Sequence, residues 1–175
     1  MSDRVDTIRE KLYREEGASI WAVLDGASVP GLLQQLADQE PEHLCLYAGE
    51  LQPDVAEVAP YLVKLEAKAP FTEWVLEKGW GQHWGVFAET GEDLRALRKH
   101  FRSFLTVYDE TGKSMLFRYY DPRVLRVYLP TCNGEELKTM FGSVQSYMME
   151  DENPAAILRF RLKSGSLVKQ SEPVP

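Results

Sequence analysis

Val5, Ile8, Leu12 and Tyr13 recur at helical spacing among charged neighbours, which predicts an amphipathic helix that ends near Gly17. Residues 19–24 (SIWAVL) form a β-rich apolar run, and Asp25-Gly26-Ala27 turns the chain into a helix over about residues 30–38. Residues 43–47 (HLCLY) and 61–65 (YLVKL) read as two further strands, separated by a loop carrying Gly49, Pro53 and Pro60. Phe71, Trp74, Val75 and Leu76 place a helix that stops at Gly79, and residues 83–88 (HWGVFA) return as a strand.

The next helix begins after Glu92-Asp93, whose acids suit the positive end of a helix dipole, and Arg95, Arg98, Lys99, His100 and Arg102 give its later turns a basic face. A turn-rich stretch from Asp109 to Lys113 joins two short apolar runs as a hairpin. Asp121 as N-cap and Pro122 in the first turn open another helix, and Asn133-Gly134 precedes a short one that ends at Gly142. Strands are expected over 146–149, 157–162 and 167–169, with 171–175 frayed.

Alternating strands and helices followed by hairpin-like pairs predict a single domain of the α/β or α+β class. Its mixed β-sheet is flanked by helices and followed by a small C-terminal β segment. The expected organisation is an N-terminal amphipathic helix over 1–18, a main domain over 19–150 and a variable C-terminal segment over 151–175.

Composition narrows the function classes. A chain of 175 residues with 44% hydrophobic and 27% charged positions has enough apolar surface for one core. Its net charge of -7 argues against nucleic acid or an anionic membrane as the main partner, because both are held by clustered Lys and Arg. The first sixteen residues mix acids and bases without an apolar core, and no stretch reaches the ~20 apolar residues of a membrane span. A cytoplasmic location is therefore expected, and Cys45 and Cys132 read as reduced thiols.

Motifs for chemistry are sparse. The glycines match neither phosphate-loop nor dinucleotide patterns, and His43, His83 and His100 lack metal-ligand spacing, so no cofactor, metal or catalytic residue is expected. Carboxylates are plentiful, and Asp25, Glu50 or Asp121 with Arg118 would suit a hydrolase if they converged in one pocket. The run Glu150-Asp151-Glu152 is expected to be solvated. Trp74, Trp80 and Trp84 fall within eleven residues: such rings fill a core, or if exposed anchor a protein partner. The densest cluster is Phe117-Arg118-Tyr119-Tyr120-Asp121-Pro122-Arg123, where an Arg–carboxylate pair would stiffen a strand-to-helix junction or meet a partner.

Taken in order, residues 21–27 (WAVLDGA), 46–51 (LYAGEL), 58–63 (VAPYLV), 77–81 (EKGWG) with 84–87 (WGVF), the basic helix of 94–105, and 116–125 (LFRYYDPRVL) resemble the bacterial type VI secretion effector chaperones, also called adaptors, whose shared domain long carried an unknown-function label. The resemblance spans about residues 19–150. It implies a non-enzymatic cytoplasmic protein that binds a cognate type VI effector and links it to the C-terminal region of the VgrG spike. On that reading Asp25, Gly49, Pro60, Gly79, Gly81 and Pro122 maintain the fold, while Trp80, Trp84, Arg118, Tyr120, Asp121 and Arg123 are candidate motif or partner-binding positions. The first sixteen residues and those beyond 150 are where cargo-specific contacts are expected. An immunity-like inhibitor that neutralises a toxin by binding it is the alternative.

Overall fold

Strand β1 (Ser19–Asp25) is buried at every position from Ile20 onward, and the rest of the molecule is built around it. The computed structural model describes residues 3–175. β1 pairs on one side with β3 (Pro60–Leu65) and on the other with β4 (Gly85–Thr90). β2 (His43–Cys45) lies outside β3, while β7 (Ser146–Glu150), β8 (Ala156–Lys163) and β9 (Ser166–Pro173) extend the sheet beyond β4. The seven strands run in the order β2-β3-β1-β4-β7-β8-β9, and every pairing is antiparallel. The α+β form of the expected class is thus the one realised. The sheet combines hairpins with longer connections, but its strands do not mix direction.

Both faces of the sheet are covered. Ile20, Ala22 and Leu24 point into a core closed by α1 (Asp3–Leu12), α2 (Leu32–Gln39) and α4 (Pro70–Gly79). Trp21 and Val23 point into a second core under α5 (Leu94–Ser103), α6 (Pro122–Tyr128) and α7 (Gly134–Phe141). Side chains alternate across a strand, so a strand with helices on both faces must be apolar at nearly every position. The run read as 19–24 has that character.

Other elements depart from the sequence expectation. The loop before Pro60 contains a short helix, α3 (Pro53–Val58), which buries none of its residues and so carries no apolar periodicity. β5 (Thr106–Tyr108) and β6 (Ser114–Leu116) form the expected hairpin as a separate two-stranded sheet. Residues 171–173, expected to fray, complete β9, and Val174 is buried with its N–H donating to the Ala155 carbonyl at 2.8 Å. Leu158 is buried in the interior strand β8, and β9 with Val168 forms that edge of the sheet. Among the described residues, no helix is long and apolar enough to cross a membrane.

α1 is held to the sheet by charge as well as by Val5, Ile8 and Leu12. Glu89 of β4 and Arg159 of β8 form an ion pair at 3.1 Å whose side chains are 1% and 3% exposed. Ser146 donates to the same Glu89 oxygen at 2.6 Å, and Arg159 also donates to the Lys11 carbonyl in the last turn of α1. At the rim Glu172 of β9 pairs with Arg14 at 2.6 Å and Lys11 at 3.1 Å.

The Arg14 hydrogen bond, helped by Lys11 against a smaller effect of burial, holds the Glu172 carboxyl down at about 2 from an ordinary 4.5. A depressed folded-state value means the tether stabilises the fold above the unfolded-state pKa and is lost as pH falls through 4.5 toward about 2. Melting temperatures of the native chain and Glu172→Gln, measured from pH 7 to 2, are expected to differ at neutral pH and to converge across that window. A constant gap would show that the carboxylate does not hold β9 to α1.

Candidate functional site

The acid that ends β1 organises one end of the sheet. Asp25 is almost fully buried: one carboxylate oxygen accepts from the Ala27 N–H at 3.1 Å, the other from the Ser28 hydroxyl at 2.8 Å and from the Arg118 guanidinium. Its own backbone N–H donates to the Trp84 carbonyl at 2.8 Å, and across the ladder it faces Pro60, the first residue of β3. A strand-opening proline suits that place, since a missing N–H costs least where the ladder begins. Gly49, in the loop after β2, takes the left-handed backbone that favours glycine.

Arg118 reaches Asp25 across 93 residues of sequence. The Arg–carboxylate pair expected inside the junction is made by its neighbour instead: Asp121 caps α6 by accepting from the Arg123 N–H at 2.9 Å and also binds the Arg123 guanidinium at 2.7 and 3.0 Å. Pro122 follows in the first turn. Burial works against the charge on Asp121, but the Arg123 hydrogen bonds and positive charge together outweigh it and keep the carboxyl below its ordinary value.

Tyr120 is buried, and its hydroxyl interacts with Tyr47 and Arg118. Burial, with negative charge nearby, raises both phenols, so both remain protonated donors. Arg118 also acts electrostatically on Asp121, so Asp25, Tyr47, Arg118, Tyr120, Asp121 and Arg123 form one cluster. The two carboxylates are buried, while about half of each guanidinium side chain faces solvent. Every Asp25 and Asp121 oxygen already accepts a hydrogen bond. Glu50, the third acid of the hydrolase reading, is exposed in the loop before α3. Tyr47 lies in the 46–51 segment but is not among the candidate positions, and the fold brings it here.

The Gly-Trp-Gly turn is internal. Trp80 and Trp84 are each 9% exposed. The Trp80 indole N–H donates to the Pro154 carbonyl at 2.7 Å and its ring stacks on Phe87, while Trp84 packs on Trp74 at 4.8 Å. Gly79 lies so close to Trp84 that an added Cβ would sit 2.6 Å from the ring, and Gly81 turns the chain at a φ of 83°. The exposed-anchor alternative for these tryptophans is not realised.

Glu150, expected in a solvated run, is buried beneath this turn. It accepts from the Gly81 N–H at 2.5 Å and the His83 N–H at 3.1 Å, and its carboxylate also meets the His83 ring. Those loop N–H groups have no partner in a sheet ladder, and the end of β7 brings the carboxylate to them. Among the described residues, no group of three or more His, Cys, Asp or Glu side chains could hold a metal ion.

Comparison with curated proteins and with solved structures gives no match. A family model described as "Domain of unknown function (DUF4123)" matches residues 20–139, and that span contains β1 from Ile20 onward, the Gly-Trp-Gly turn and the Arg118–Arg123 junction. With well over half of its length matched, the chain belongs to that family.

Proposed function

We propose that this chain is an effector-specific adaptor of the bacterial type VI secretion system: a non-catalytic cytoplasmic protein that binds one toxin effector and helps seat it on the C-terminal region of the VgrG spike. The observation that carries the reading is the family match, because every segment that resembles the adaptors, from Trp21 to Leu125, falls inside residues 20–139. The architecture is compatible with it. The most recognisable motif residues are spent on internal tethers, Arg118 to Asp25 and Gly81 to Glu150, which suits a scaffold whose variable surface chooses cargo. A loading factor also has to release what it binds, so moderate affinity fits the role better than a very long-lived complex.

The test is affinity capture of the tagged chain from a bacterium that carries the secretion system, together with secretion profiling of a deletion strain. Co-purification of an effector and a spike protein, with loss of export of that one effector on deletion, is the expected result. Recovery of neither protein would overturn the proposal. Protection of cells from a co-expressed toxin, with export unaffected, would make the chain an inhibitor instead.

A further inference from the structure

An open groove of about 630 Å³ runs between α5 and the edge strand β2, lined by Leu44, Arg95, Arg98, Lys99, Arg102 and Ser103. Its chemistry opposes that of the whole chain: four cations and no acid line it, in a protein of net charge -7. Arg95, Lys99 and Arg102 stand at i, i+4 and i+7, so they share one helix face over a rise of about 10 Å. All three are exposed, and none enters an ion pair among the described residues.

Arg98 has a different task. In the β2–β3 ladder the Glu42 carbonyl and the Leu46 N–H turn toward β3, so the Cys45 and Tyr47 carbonyls turn away from it. The Arg98 guanidinium takes up both, at 2.8 and 3.1 Å. Those edge acceptors are therefore unavailable to an added strand, and what the groove offers a visitor is three free cations beside the half-buried Leu44.

We infer that this groove is a docking site for an acidic segment of a protein partner, with carboxylates on Arg95, Lys99 and Arg102 and an apolar side chain against Leu44. Charge complementarity selects that occupant. A polyanion such as nucleic acid would meet the repulsion of the remaining surface, whereas a short segment with a few acids needs only the local field. The inference goes beyond the secretion reading, since the groove's chemistry holds whatever machinery the partner serves.

The probe is a fluorescein-labelled peptide with glutamates at i, i+4 and i+7 around a central leucine, titrated into the full chain by anisotropy at low salt and mapped by amide chemical shifts. Binding is expected to perturb Leu44 and residues along α5, to weaken as salt rises, and to fall about tenfold or more in Arg95→Gln/Lys99→Gln/Arg102→Gln and when the peptide glutamates become glutamines. The three side chains are exposed and unpaired, so the variant's melting temperature should match the native one. Lys99→Glu alone is the fallback if it does not. Absent binding, shifts confined to another face, equal affinity for the variant, or tighter binding of a single-stranded oligonucleotide would each overturn the assignment. None of these outcomes alters what affinity capture recovers, so the two proposals fail separately.

Discussion

Replacing Arg159 by methionine is expected to lower the unfolding free energy by about 3–5 kcal/mol, the range observed when one partner of a buried ion pair is removed. Methionine fills much of the same volume, so the loss is electrostatic. Glu89 would keep only the Ser146 hydroxyl and Arg161, which lies 3.5 Å away and is about one-third exposed. The other Glu89 oxygen is buried and has no hydrogen-bond partner among the described residues, so it cannot absorb the loss. The same substitution removes a donor from the Lys11 carbonyl, in a helix turn whose carbonyls lack intrahelical partners. Against a typical total of about 5–15 kcal/mol, this is a large fraction of the stability. Urea denaturation reads it as a lower midpoint at unchanged slope. The double variant Glu89→Gln/Arg159→Met should recover a substantial part, because no buried charge is then left unpaired. A single variant within about 1 kcal/mol of the native chain would show that water or side-chain rearrangement solvates Glu89 and that the pair is not dry.

That pair also shows where the sequence stops being readable. In residues 157–162 the apolar and basic positions alternate, which by itself assigns Arg159 and Arg161 to a solvated face. The assignment holds in part for Arg161 and fails for Arg159, because α1 covers that face and converts a nominally outer position into a buried one. Glu150 fails for the same kind of reason: its neighbours are acidic and local, but its partners are backbone N–H groups near residue 82. Features that depend on the near sequence were legible. Asp93 and Asp121 cap their helices as their positions suggest, the Asp109–Lys113 turn closes its hairpin, and the continuous apolar run of β1 marks a strand covered on both sides. Asp25 and Arg118 could be singled out individually, but their bond spans 93 residues of sequence and has no local signature. The sequence pattern predicts too short a β9, because its exposed, polar residues are held in place by pairing to β8 and not by their own periodicity.

Trp84→Ala is expected to cost about 3–5 kcal/mol, as large-to-small changes at buried aromatic positions do. If the ring were a partner anchor, truncation would weaken binding and leave stability intact, so the sign of the effect distinguishes core from interface. The contact with Gly79 makes the prediction sharper. Gly79→Ala alone should also destabilise, since its Cβ would lie 2.6 Å from the Trp84 ring, and that ring is wedged against Trp74 and cannot simply swing aside. Once the indole is gone, the same methyl enters vacated space. The double variant should therefore be clearly less destabilised than the sum of the two single changes, with a coupling of about 0.5–3 kcal/mol from a double-mutant cycle in urea. Additive costs would mean that the Gly79 requirement comes from helix ending and not from the ring. Strong coupling would mean that Gly79 and Trp84 act as one packing unit, which fixes the exit of α4 against the start of β4 and so positions the Trp84 carbonyl that receives Asp25.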